Sequence, residues 1–212
     1  LSQAGGRDVR GALGGSRLLL QPEHAAALLC WHDFLAGPAP VLVEVGFDHG
    51  RRLSQTALRH PDWRVAGLEV RRLRVEQAAA RAVEAGTSNL FAWRMDARSV
   101  FAVATPPASV QVVEVLFPTP WWNPALRAKR LLVDPDFLAD VARALRAGGV
   151  LHLATDVPEV AVSIEAALAA TPELVPDPGA EADRPAIEAL SRREWSCARD
   201  GVPVRRWWLR RR

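Results

Sequence analysis

Three carboxylates stand where alternating apolar runs and helical segments would bring them together. Glu44 interrupts the apolar run 41–46 and leads into Gly46-Phe47-Asp48-His49-Gly50, a tight turn that opens a helix. Glu69 closes the next apolar run, about 20 residues after the first glycine, where a carboxylate suits a bidentate hydrogen bond to the two hydroxyls of a ribose. Asp96, in Met95-Asp96-Ala97, follows the third run and is placed to accept from an adenine amino group. A dinucleotide fold presses a G-x-G-x-x-G turn against a pyrophosphate, but this loop offers only Gly46 and Gly50, with Glu44 and Asp48 beside them. Two negative charges repel a pyrophosphate and suit a cofactor carrying an amine and a sulfonium. On chemistry alone S-adenosylmethionine fits better than NAD; the competing reading makes Glu44 and Asp48 caps of the following helix.

A second constellation follows the fourth apolar run. Phe117-Pro118-Thr119-Pro120-Trp121-Trp122-Asn123-Pro124 is a stiff aromatic loop, with Arg127, Lys129 and Arg130 directly after it. Aromatic rings interleaved with cations suit base stacking and phosphate contact; the bland alternative is a proline-rich loop whose tryptophans close the core. Residues 191–212 hold eight arginines against Glu194 and Asp200, while residues 1–190 carry 19 basic and 22 acidic side chains. A body near −3 thus bears a tail near +6, an asymmetry that points to a polyanionic partner. Arginine supplies all the basic residues but Lys129, and Tyr is absent, a composition that a GC-rich genome would also give, so arginine abundance alone is weak evidence and the bland reading of the tail is a solvated edge.

These residues need a frame. The chain has 212 residues, 49% of them hydrophobic and 24% charged, which excludes a disordered tail, a mini-protein or a fibre and allows one sizeable core. Residues 1–36 read as a loose Gly-, Ser- and Arg-rich extension plus a short helix over 22–35, and 37–212 as one domain. Strands are predicted at 41–46, 65–70, 90–94, 110–116 and 150–155, alternating with helices at 51–60, 73–85, 135–145 and 158–169. Such alternation implies a parallel sheet with helices on both faces, with ligands beyond the strands' carboxyl ends. Residues 195–210 read as two extended stretches around Asp200-Gly201, hence an antiparallel hairpin. Cys30 and Cys197 are too few and too far apart for a disulfide scaffold and lack metal-ligand spacing. No apolar run approaches the roughly 20 residues of a membrane span, so a cytoplasmic chain with no membrane partner and no metal is expected, monomeric or homodimeric.

The order Glu44-Val-Gly-Phe-x-x-Gly50, Leu68-Glu69, Asn89-Leu, Asp96-Ala97, Phe117-Pro-x-Pro-Trp121, Arg130, Gly148-Gly149 and Ala154-Thr155-Asp156 resembles the tRNA (guanine-N7)-methyltransferase family known as TrmB, over residues 35–212. The resemblance implies a Rossmann-like class I methyltransferase fold, with a mostly parallel seven-stranded sheet and a C-terminal antiparallel hairpin, and S-adenosylmethionine as cofactor and tRNA as partner. It implies cofactor positions at Glu44, Gly46, Gly50, Glu69 and Asp96. It also implies substrate positions at Asp156, at Ser191 and Glu194 (the nearest match to a Thr-x-x-Glu motif), at Asn123, and at Arg127 and Arg130. The chain departs from the family where Thr119 stands in place of an aspartate held to be catalytic or guanine-positioning, Asn123 in place of a lysine, and Asp48 in place of the middle glycine of the cofactor loop. Asp156 has a second reading as the cap of the 158–169 helix. The substrate-side losses leave two further readings open, a methyltransferase with another acceptor and a non-catalytic RNA-binding module; a NAD-dependent dehydrogenase lacks its glycine fingerprint.

Overall fold

Val41–Val45 (β1) is four β-branched or leucine residues around one acid, buried along its whole length, as a central parallel strand must be. The computed structural model of the chain describes residues 22–118, 131–185 and 190–212. After helix α1 (Pro22–Leu35) and β1 come α2 (Arg51–Arg59), β2 (Arg64–Glu69), α3 (Arg72–Glu84) and β3 (Leu90–Arg94). A short α4 (Ala97–Ser99) runs into a π-helical turn, Val100–Ala104, before β4 (Val110–Leu116). Then follow α5 (Pro135–Ala144), β5 (Leu145–Thr155), α6 (Pro158–Ala169), β6 (Leu174–Pro176), a 3-10 turn at Pro178–Asp183, α7 (Arg192–Asp200) and β7 (Arg205–Arg211). Local chemistry sets several of these boundaries. Asp134 caps α5 by accepting from the Phe137 N–H at 2.9 Å, with Pro135 in the first turn, where its missing N–H is harmless.

The seven strands form one sheet in the order β3-β2-β1-β4-β5-β7-β6. β1 to β5 are parallel, and β7 enters antiparallel between β5 and β6. Helices cover both faces. On one, Trp31 of α1, Phe101 of the π-helical turn, Phe137 and Leu138 of α5 and Ile164 of α6 pack on the sheet. On the other, Leu53 and Ala57 of α2 and Ala78 of α3 cover Leu42, Val65 and Val112. Strand order reverses between β1 and β4, so the crevice for a ligand lies beyond their carboxyl ends.

The predicted alternation is present and the C-terminal strands are antiparallel, but the hairpin expected within 195–210 is not formed. β7 pairs with β6, while the stretch beginning at Trp195 is part of the helix α7. The physical reason is a capping box: Ser191 Oγ accepts from the Glu194 N–H at 3.1 Å, and Glu194 returns the bond to the Ser191 N–H at 3.2 Å. That reciprocal pair satisfies two N–H groups that a helix start leaves without partners. Gly201, at φ 65°, closes the helix in the left-handed conformation glycine adopts without steric cost.

Candidate active site

The carboxyl ends of β1, β2 and β3 stand side by side: the Gly46 N–H donates to the Leu68 carbonyl at 2.8 Å and the Met95 N–H to the Glu69 carbonyl at 3.2 Å. This brings the segments carrying Glu44, Glu69 and Asp96 to one edge of the sheet. Glu69 is half-buried and its Oε1 accepts from the Arg71 N–H at 3.0 Å. Asp96 is exposed and accepts from Ser99 Oγ at 3.3 Å. Neither pairs with a cation among the described residues, so this edge keeps uncompensated negative charge.

The loop after β1 carries positive φ at Gly46 (76°), Asp48 (49°) and Gly50 (69°). A side chain at Gly50 would meet Ala78 Cβ at 2.5 Å, so α3 packs directly on this turn, whereas a Cβ at Gly46 would meet nothing within 4 Å. Asp48 keeps the backbone shape of a glycine, which Asp tolerates better than most residues. Its carboxylate is turned to Arg74, whose Nε lies 3.3 Å from Oδ1. Arg74 also contacts the ring of His49, whose Nδ1 lies 2.9 Å from Gln77 Oε1. Neither Glu44 nor Asp48 caps α2: Gly50 is its N-cap, without a side-chain bond.

Glu44 is the surprise of the site. It lies beneath the edge, 4% exposed, with Arg52 Nη1 3.1 Å from its Oε2. Register explains its company: Glu44 pairs with Glu114 of β4, Glu114 with His152 of β5, and His152 with Trp208 of β7. These four side chains form one row across the sheet face covered by α2. Arg52, from the first turn of α2, reaches Glu114 Oε2 at 2.5 Å with its other arm. His152 Nδ1 lies 3.2 Å from Glu114 Oε1, and its ring stacks on Trp208 at 3.7 Å and 8°. Arg184 sits 3.6 Å from Glu114 and over the Trp208 ring. Burial would raise the Glu114 carboxyl, but Arg52 with His152 and Arg184 outweighs it and holds it at about 2. At Glu44 burial prevails over Arg52, with Glu114 and Glu194 adding to it, and its pKa is raised. From sequence, His152 reads as a core residue, and no motif singles out Arg52 or Glu114. A signal is present all the same, since Glu44 and Glu114 are each the lone charge of an apolar run and fall opposite one another once β1 and β4 pair.

On the far side of β4, Asp156 follows the tip of β5, and its Oδ2 accepts from both Nε, at 3.0 Å, and Nη2 of Arg193. It does not cap α6, whose N-cap is Val157 without a side-chain bond. Ser191 and Glu194 form the capping box of α7, and the second Glu194 oxygen accepts from Arg206 Nη2 at 2.9 Å. Burial would raise the Glu194 carboxyl, but Arg206 and the Ser191 N–H lower it on balance. Arg193 thus ties the first turn of α7 to the tip of β5, and Arg192 Nη1 lies 3.5 Å from His49 Nε2 in the loop after β1. Phe117, where β4 ends, has φ 52°, a strained conformation for a bulky residue before proline. Such strain concentrates at functional sites, and here it falls directly before Pro118. Thr119, Asn123, Arg127, Lys129 and Arg130 lie outside the described residues.

Much of the tail's charge is neutralised locally. Arg193 meets Asp156, Arg199 meets Asp200, Arg205 meets Glu165, Arg206 meets Glu194, and Arg210 meets Asp177 and Asp183.

A parallel five-stranded core with β7 inserted antiparallel, and an acidic edge at the carboxyl ends of β1 to β3, is a class I methyltransferase architecture. Known proteins agree with it. A family model described as "Putative methyltransferase" matches residues 38–206. The chain is 34% identical over 177 residues to a tRNA (guanine-N(7)-)-methyltransferase of Synechococcus sp. (strain JA-2-3B'a(2-13)), covering 82% of this chain and 72% of that one. It is 38% identical over 174 residues to the enzyme of that name from Leifsonia xyli subsp. xyli, covering 81% and 76%. Among solved structures, the 16S rRNA (adenine(1408)-N(1))-methyltransferase from Catenulisporales acidiphilia shares the fold, with a TM-score of 0.52 at 21% identity, covering 87% of this chain and 92% of that one. The chain belongs to the tRNA (guanine-N(7)-)-methyltransferase family.

Proposed function

We propose that this chain transfers a methyl group from S-adenosylmethionine to guanine N7 in tRNA, in the cytoplasm, as a monomer or homodimer. Family membership over most of the chain carries the reading, and the acidic edge at the carboxyl ends of β1 to β3 supports it. The residues fit the cofactor: Glu69 and Asp96 have no cation among the described residues, Glu44 Oε2 is buried without a hydrogen bond, and the space at Gly46 is open. When bound, the cofactor supplies an electrophilic methyl group on a sulfonium. Glu44, Gly46, Gly50, Glu69 and Asp96 hold it, with Glu69 suited to ribose hydroxyls and Asp96 to the adenine amino group.

Guanine N7 presents an unprotonated lone pair, so no side chain has to remove a proton. The protein's task is to align the base with the methyl carbon, and alignment alone can lower a barrier by several kcal/mol. Thr119 takes that role through a hydrogen bond weaker than a carboxylate would give. Asn123, Asp156, Ser191 and Glu194 hold the nucleotide from the other side, and Arg127 and Arg130 bind backbone phosphates. Incubation with methyl-labelled cofactor and unmodified tRNA should place label on guanine N7. The replacements at Thr119 and Asn123 favour one second reading, a relative that binds cofactor and RNA with little or no transfer; it predicts cofactor binding with no labelled N7-methylguanine.

A further inference from the structure

The buried row under the crevice holds more charge than a stable core needs. Glu44 and Glu114 are register partners on neighbouring strands, 4% and 0% exposed, and two carboxylates so placed repel each other strongly out of water. Arg52 answers both, but unequally. Its Nη2 makes a well-formed hydrogen bond to Glu114 at 2.5 Å. Its Nη1, though 3.1 Å from Glu44 Oε2, is misaligned, so that neither that nitrogen nor that oxygen has a hydrogen-bond partner among the described residues. Glu114 is further held by His152 and Arg184, which leaves the guanidinium little freedom. Glu44 therefore has a nearby positive charge that opposes, without overcoming, the effect of its burial.

We propose that Arg52, anchored by Glu114, is a positioning residue for the cofactor: it opposes protonation of the buried Glu44 and fixes that carboxylate beneath the crevice. This rests on the reading of Glu44 as a cofactor carboxylate. The charged groups facing Glu44 are Arg52 from α2, Glu114 from β4 and Glu194 from α7, with His152 and Arg184 acting on it through Glu114. Removing Arg52 leaves only acids in direct reach, so Glu44 takes up a proton and a neutral acid cannot pair with an ammonium or sulfonium group. The sign follows: the defect is greatest at low pH and fades as rising pH ionises Glu44 again.

The test is calorimetric titration of the whole chain with S-adenosylmethionine at pH 6, 7, 8 and 9. Relative to the parent, Arg52→Met should bind about tenfold or more weakly at pH 6 and approach it by pH 9, its rise in affinity falling at higher pH than the parent's. Arg52→Lys keeps the charge but not the fork, and should show a smaller loss with the same trend. Either variant, folded by circular dichroism, binding as the parent does at pH 6 overturns the proposal, as does an equal loss at every pH. Glu44→Gln separates the two ideas. If it binds normally, Glu44 is not a cofactor carboxylate and the underlying reading fails; if it loses binding at every pH while the Arg52 variants bind normally, only the positioning role fails.

Discussion

At the scale of single residues, the buried acids make opposite contributions to stability. Glu114 is held at about 2 against an ordinary value of 4.5. Its folded pKa is depressed, so its stabilising contribution is fully present above pH 4.5 and is lost as pH falls toward 2. Thermal midpoints should therefore drop more steeply in that window for the parent than for Glu114→Gln. Glu114→Leu leaves Arg52 with only its misaligned partner and should cost about 3 kcal/mol in urea unfolding at neutral pH, because breaking a buried pair strands a charge. Asp48 gives a milder prediction. Its φ of 49° suits Gly or Asn, so Asp48→Gly should leave the urea midpoint nearly unchanged, while the β-branched Asp48→Val should lose about 1–2 kcal/mol.

Among the elements, α7 is where sequence and structure part. Ser191 to Glu194 carries two messages in four residues: it is the nearest match to a Thr-x-x-Glu substrate motif that the family resemblance implies, and it is an S-x-x-E helix start. The first message masks the second, and Asp200-Gly201 resembles a hairpin turn between two arms, so the stretch reads as extended. The parallel strands are legible because each is a short apolar run bounded by glycine, proline or a charged turn. Arg52 is not, because a buried arginine at the start of an amphipathic helix resembles a solvated one until the strand register sets two acids above it. Ser191→Ala should cost about 1 kcal/mol through loss of the cap and, as α7 also carries Arg193 to Asp156, should raise the tRNA KM more than the cofactor KM in steady-state assays.

For the whole molecule, the formal charge of +3 hides a division of labour. Of the tail's arginines, Arg193, Arg205 and Arg210 attach α7 and β7 to the body, and exposed pairs of this kind add little stability. Arg205, on Glu165 at 3.0 Å, belongs to that group. Arg205→Ala should leave both the thermal midpoint and the salt slope of tRNA binding unchanged. Binding by the parent should still weaken linearly in log–log with salt, as phosphate neutralisation releases counterions. The acidic excess of the body has its own place, at the carboxyl ends of β1 to β3, where a cationic cofactor would meet it. The most direct test of methyl transfer to tRNA is nucleoside mass spectrometry of unmodified tRNA after incubation with the purified chain and S-adenosylmethionine. N7-methylguanosine should accumulate with time and disappear in Glu69→Ala. No N7-methylguanosine, under conditions where another member of the family forms it, would contradict the proposed function.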